Sequence, residues 1–270
     1  MTNAIAQAVG AWIGRAIAAA PAGHVPLLML SGPQGAGKTT ALAEALAALD
    51  RPVAGLSLDD VYLTRAERAA LAAQVSPLLQ TRGPPGTHDL ALLALTVAAL
   101  RGAGDGTQTR LPVFDKLADD RAPPGAWRRF AGRPVAIVIE GWMMGALPER
   151  AAPDAPPLNA VEASDTDGAW RRFQEAALAG AYADLWDRAD SFCHLVAPGF
   201  ECVAGWRLQQ EAALWAARGE AMPAGRRDWV LRFIQHYERV TRRMIDGARR
   251  PGVVIKIDAA RNVTAASGLD

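Results

Sequence analysis

The sequence predicts an α/β protein of three layers, α/β/α, with a mainly parallel five-stranded sheet and a helical lid. Two observations carry this. Five short apolar runs, Leu27 to Leu30, Val53 to Leu58, Val135 to Ile139, Phe192 to Val196 and Val253 to Ile257, alternate with stretches of helical periodicity. That order belongs to a parallel sheet covered by helices on both faces. Directly after the first run stands a glycine-rich octet closing in Gly-Lys-Thr, the kind of turn that leads a strand into a phosphate-holding helix.

The first twenty residues are apolar, but they lack a basic start and carry Arg15 within the apolar stretch. They read as an amphipathic helix rather than a leader peptide, and residues 1–25 are assigned to it. Three of the five runs are near-continuous in apolarity, as strands buried on both faces should be. After the octet, Thr39 to Leu49 repeats Leu42, Leu46 and Leu49 on one helical face. Residues 26–200 form the expected nucleotide and acceptor core, 201–250 the lid and C-terminal helices, and 251–258 the last strand, all in one domain. Pro148 to Leu158 is proline-rich, either an irregular surface loop or a short hinge.

Composition bounds the partners. Half the residues are apolar, about a fifth are charged and the net charge is +1, so the chain is an ordinary globular one. Near-neutrality, with no basic stripe interleaved with aromatics, points away from nucleic acid and anionic membranes and toward a small molecule. No other uncharged apolar run reaches the length of a membrane span. Cys193 and Cys202 show neither CxxC spacing nor a His/Cys cluster, which excludes a zinc site and suits a reducing cytoplasm.

The octet Gly32-Pro33-Gln34-Gly35-Ala36-Gly37-Lys38-Thr39 is a full G-x-x-x-x-G-K-[ST] P-loop, with Thr40 following it into the helix. Its glycines let backbone N–H groups converge on phosphates, and the helix start adds its positive end. Lys38 is expected to bridge the β- and γ-phosphates of ATP, and Thr39 to place its hydroxyl on Mg²⁺. A dinucleotide fingerprint starting at Gly35 would require glycine where Thr40 stands.

Two further strand ends carry acids. The second run ends in Asp59-Asp60-Val61-Tyr62, at the sheet edge where ligands gather. Transfer to an alcohol needs a group that takes the hydroxyl proton, and Asp59 is the expected base; Asp60 is either a helix N-cap or a partner in the base and metal roles. Glu140, after Ile137-Val138-Ile139, is placed to hold Mg²⁺ opposite Thr39.

Taken together these pieces resemble the kinase branch of P-loop proteins that includes uridine kinase, phosphoribulokinase, pantothenate kinase and plant-type D-glycerate 3-kinase. The branch sets an Asp after the second strand with an aromatic soon after, here Asp59 and Tyr62. Arg82-Gly83-Pro84-Pro85-Gly86-Thr87-His88-Asp89, Leu111-Pro112-Val113-Phe114-Asp115-Lys116 with Arg121, and Ile139-Glu140-Gly141-Trp142-Met143-Met144-Gly145 resemble glycerate kinase segments most closely. Looser agreement runs through Gly205-Trp206-Arg207-Leu208-Gln209-Gln210-Glu211 and Phe233-Ile234-Gln235-His236-Tyr237-Glu238-Arg239.

The resemblance implies an ATP- and Mg²⁺-dependent kinase whose acceptor is a small hydroxy acid, D-glycerate first. For a glycerate acceptor, Arg82, His88 and Arg121 would surround the carboxylate. Tyr62 would line the same side, and Asp89 and Asp115 would orient hydroxyls; Asp89 can equally cap a helix beginning at Leu90. Of the arginines between Trp206 and Arg243, Arg207 is expected to close over the phosphates and the others to form a solvated face. Two alternatives stay open: a kinase for a nucleoside, pantothenate or sugar phosphate, and an ATP-binding switch with no small acceptor.

Overall fold

The computed structural model describes residues 3–269; Met1, Thr2 and Asp270, the ends of the expected domain, lie outside them. In chain order the first half comprises α1 (Ala4–Ala19), β1 (Leu27–Ser31), α2 (Lys38–Ala48), β2 (Val53–Ser57), α3 (Arg65–Gln74), α4 (Leu90–Gly102), β3 (Gln108–Leu111), β4 (Phe114–Asp115), β5 (Asp120–Arg121) and β6 (Arg128–Ala131). The second half comprises β7 (Ala136–Gly141), α5 (Ala160–Ser164), α6 (Ala169–Ala177), α7 (Ala183–Trp186), β8 (Ser191–Val196), α8 (Phe200–Ala216), α9 (Arg226–Gln235), α10 (Glu238–Ile245), β9 (Val253–Ile257) and β10 (Val263–Ser267).

Each of the five apolar runs forms a strand. They join one sheet in the order β10-β9-β8-β1-β7-β2, in which every pair is parallel except β9 with β10. The sixth strand is an addition to the expected five. Its residues Ala265, Ala266 and Ser267 are small and exposed, so it carries no apolar run to announce it. Strand β2 stops at Ser57 rather than Leu58, because the Ser57 hydroxyl accepts from the Asp59 amide and turns Leu58–Val61 into a short 3₁₀ turn.

Alternate residues of the central strands face opposite layers, which is why their apolarity is continuous. Leu27, Met29, Ile137 and Ile139 pack with Leu93, Val97 and Leu100 of α4 and with Tyr182, Trp186 and Tyr237. Leu28, Leu30, Val138 and Cys193 face the other layer, built from α1, α2 and Trp206. Helix α1 starts at Asn3, whose side chain accepts from the Ala6 amide, and buries Ile5, Val9, Trp12 and Ile13 on one face. Helices α8 and α9 pack through Phe200, Val203 and Ile234 and overhang the C-terminal edge of the sheet. Among the described residues no helix is long and apolar enough to cross a membrane.

Candidate active site

The glycine-rich loop lies between β1 and α2 at that edge, and Gln34, Gly35, Lys38 and Thr39 of it line a cleft there. Gly35 and Gly37 have φ of 77° and 90°, in the left-handed region glycine favours, and a Cβ on Gly35 would lie 2.4 Å from the Trp206 Cβ. Pro33 and Ala36 close the loop's own turn through an Ala36 amide to Pro33 carbonyl bond of 3.2 Å. A Cβ on Gly32 would approach Leu195 at 2.8 Å, so this residue too is packed against its neighbour strand. Lys38 is buried, and its Nζ donates to the Pro33 carbonyl at 3.0 Å. Burial pulls its pKa down, while the negative charges of Glu140 and Asp59 partly restore it.

Parallel register brings the acids in. Glu140 on β7 lies opposite Leu30 of β1 and Ser57 of β2. Its Oε1 accepts from Thr39 Oγ1 at 2.9 Å and from Ser57 Oγ at 3.0 Å. Among the described residues no three His, Cys, Asp or Glu side chains form a chelating group on their own. The Thr39 hydroxyl and Glu140 carboxylate are hard oxygen donors of the kind a small divalent cation takes beside phosphate oxygens. Thr40, in the first turn of α2, is exposed and is not among the residues lining the cleft.

Asp59 stands at the next strand tip. Its Oδ1 accepts from the Tyr62 hydroxyl and its Oδ2 from Lys116 Nζ, both at 2.7 Å. Burial alone would raise this carboxyl, but the Lys116 charge and hydrogen bond, with that of Tyr62, hold it well below the usual carboxylate range. Asp60 points away, accepting from the Phe114 amide and pairing with Arg128, each at 3.2 Å; burial leaves its carboxyl raised.

Lys38, Thr39, Asp59, Tyr62, Arg82, Lys116, Glu140 and Arg207 share one cleft of about 880 Å³, roofed by Trp215 and Leu214 of α8 and Trp229 and Phe233 of α9. Arg82 is ion-paired with Asp119 and lies over the Phe114 and Phe233 rings. Arg207 of α8 and Arg226 of α9 grip the two oxygens of buried Glu211 at 3.0 and 2.7 Å. The cleft therefore gathers several basic side chains around one aspartate held in its charged form.

No family model matches the sequence. Among curated proteins, the "uncharacterized kinase mug58" of Schizosaccharomyces pombe is 33% identical over 232 residues, covering 80% of this chain and 80% of that protein. The chloroplastic D-glycerate 3-kinase of Arabidopsis thaliana is 33% identical over 204 residues, which is 70% of this chain and 42% of the plant protein. The solved D-glycerate 3-kinase of Cryptococcus neoformans superposes with a TM-score of 0.78 at 25% identity, over 98% of this chain and 99% of that one. The chain belongs to the D-glycerate 3-kinase-like P-loop kinases.

As a member of that family it is an ATP-dependent phosphotransferase. Four residues expected on the acceptor side of this kinase do not line its cleft. His88 is buried behind Tyr62, rings 4.8 Å apart, with Nδ1 bonded to the Tyr182 hydroxyl at 2.6 Å; burial lowers its pKa to about 3. Asp89 caps α4 through the Leu92 amide at 2.9 Å and pairs with Arg121. Arg121 is spent on Asp89 and the Tyr62 carbonyl. Asp115 shapes the tip of the β4–β5 hairpin, accepting from the Leu117 and Ala118 amides at 2.8 and 3.0 Å. In each case a backbone donor or neighbouring side chain claims the polar group first.

The arginines of the lid form a solvated face only in part: Arg218, Arg227 and Arg232 are exposed, but others are not. Arg239 pairs with Glu162 and Arg243 with Glu175, both arginines largely buried, so their acids come from α5 and α6 rather than from their own segment. Trp206 is a core residue, bonding the Ala259 carbonyl through Nε1 at 2.8 Å. Asp119, Glu211 and Arg226 are cleft residues to which the sequence assigns no site role, whereas Lys116 is as good a site candidate in the sequence as His88. Lys116 did stand in the quoted Phe114-Asp115-Lys116 segment.

Proposed function

We propose that this kinase transfers the γ-phosphoryl group of MgATP to a hydroxyl of a small hydroxy acid, D-glycerate first. The observation that carries the reading is Asp59, ionised, hydrogen-bonded at both oxygens, and sharing one cleft with Lys38 and Glu140. Lys38 and the loop amides hold the phosphates. Magnesium, when bound with the nucleotide, neutralises charge on the β- and γ-oxygens, and Thr39 and Glu140 are the residues that would hold it. Asp59 orients the acceptor hydroxyl and takes its proton as the oxygen–phosphorus bond forms and the bridging bond to ADP breaks. Arg207 and Arg226 supply positive charge from the lid. Arg82, at the acceptor end, favours an acceptor that carries a carboxylate.

A panel of D-glycerate, other hydroxy acids, nucleosides, pantothenate and sugar phosphates, read by coupled ADP release, tests the acceptor. Turnover of a nucleoside or pantothenate with none of D-glycerate would replace this reading by the alternative kinase one. Asp59→Asn should lower kcat by roughly 10² to 10⁴ while keeping nucleotide affinity, whereas Lys38→Ala should lose both. Chelation by EDTA should abolish turnover and added Mg²⁺ restore it.

A further inference from the structure

The basic side chains lining the cleft are Lys38, Arg82, Lys116, Arg207, Arg218 and Arg226. Lys38 is tucked against its own loop, Arg82 is clamped by Asp119, Arg207 and Arg226 share Glu211, and Arg218 lies over the Trp215 ring. Lys116 differs from all of them, because its partner is the proposed base. Its Nζ sits 2.7 Å from Asp59 Oδ2 while its side chain is 58% exposed. With Tyr62 on Oδ1, each carboxylate oxygen already accepts a bond from a protein donor.

An ammonium in contact with a carboxylate makes a charge-assisted bond and lowers its readiness to accept a further proton. The pull on Asp59 is in that sense, against its burial. A hydroxyl arriving at Oδ2 meets an atom that already accepts a charge-assisted bond and whose negative charge the ammonium screens. The hairpin that presents Lys116 is fixed at both shoulders: Asp115 closes the tip, and Asp119 is held by the guanidinium groups of Arg68 and Arg82. What is free to move is the four-carbon stem of Lys116 itself. An acceptor bearing its own carboxylate offers that ammonium a second anion; water and neutral alcohols do not.

We propose that Lys116 is a catch on the base that the acceptor's own negative charge releases: an anionic acceptor draws the ammonium from Asp59 Oδ2 to its carboxylate, and Oδ2 then receives the hydroxyl proton. The inference rests on Asp59 as base and a hydroxy acid as acceptor. The bond changes stay those of the transfer: the acceptor oxygen bonds to the γ-phosphorus, the bond to the β-phosphate oxygen breaks with its electron pair leaving on ADP, and the proton goes to Asp59. It passes to solvent as product leaves and Lys116 returns. The catch makes Lys116 a specificity residue and guards ATP against transfer to water.

The test compares kcat/KM for D-glycerate with that for glycerol, which lacks the carboxylate, and acceptor-independent ATP hydrolysis, in the wild-type chain, Lys116→Met and Lys116→Arg. Urea unfolding of each variant checks folding, which a side chain at an exposed hairpin tip should leave intact. Lys116→Met should reduce the preference for D-glycerate over glycerol at least tenfold and raise hydrolysis without acceptor at least tenfold; Lys116→Arg should restore most of the preference. A smaller change in either quantity in Lys116→Met overturns the proposal. If the wild type phosphorylates D-glycerate and Lys116→Met keeps its preference, only the catch falls; if the wild type ignores every carboxylate acceptor, the proposed function falls with it.

Discussion

At the scale of single residues, the character of Asp59 is set by its burial and two neighbours rather than by its place in the sequence. Burial pushes its carboxyl up, and Lys116 and Tyr62 overcome that and hold it ionised. Tyr62→Phe removes one of the two direct donors, so the carboxyl rises toward its ordinary value and begins to protonate at a higher pH. The acid limb of kcat/KM should accordingly move to higher pH, while activity on the alkaline side falls by less than about tenfold. A limb that stays in place would show that Tyr62 does not act through Asp59. The same residue scale decides what spacing alone can reveal. That Lys38, Thr39, Asp59 and Glu140 come together in one cleft was legible because each occupies a strand end or a loop whose geometry is determined locally. Asp89 and Asp115 lie outside the cleft and bond backbone amides, because an acid ahead of a helix or a tight turn is as apt to serve its own backbone as a ligand; for Asp89 the cap was one of the two roles expected. Asp119 could not be placed, since its partners Arg68 and Arg82 lie far away in the chain; Glu211 has Arg207 one helical turn away, but its second partner, Arg226, lies on the next helix.

At the scale of elements, one buried acid ties the two lid helices together beside the cleft, in addition to their apolar packing. Glu211 on α8 is 3% exposed and holds Arg207 one turn before it and Arg226 at the start of α9. Glu211→Gln keeps the shape but leaves two guanidinium groups without a counter-charge. Breaking such a pair costs several kcal/mol when it is fully buried; Arg226 is 32% exposed, so a loss of about 2 kcal/mol in urea unfolding is expected. The KM for ATP should rise with it, because both arginines then sample directions away from the phosphates, and the acid limb assigned to Asp59 should not move. An unchanged KM would reduce the clasp to a structural tie. The strands of the main sheet could be read from their apolar runs because both faces are covered. The hairpin carrying Lys116 could not, since β4 and β5 have two residues each and no periodicity to display.

At the scale of the whole molecule, three histidines are buried in separate parts of the structure: His88 behind the base, His194 in β8 and His236 at the end of α9. Burial lowers His88 to about 3, and His194 and His236 to about 4, in the last two cases against the raising effect of hydrogen bonds to backbone carbonyls. In the unfolded chain each titrates near 6.5. The unfolded state therefore binds these protons first as the pH falls. The stabilisation from keeping the rings neutral is complete above about pH 6.5 and is lost progressively toward pH 4. Each ring contributes at most about 1.4 kcal/mol per pH unit in that window, and the lowered carboxylates add to the loss only below about pH 5, where unfolded Asp and Glu begin to protonate. Stability from urea unfolding should then fall steadily between pH 6.5 and pH 5. His194 is the cleanest probe, because it lies in the sheet, away from the base, with Nε2 bonded to the Arg250 carbonyl at 2.9 Å. His194→Gln should be less stable at neutral pH yet show a slope about one third shallower over the same interval. A slope equal to that of the wild type would mean that the protons driving acid unfolding are taken up elsewhere.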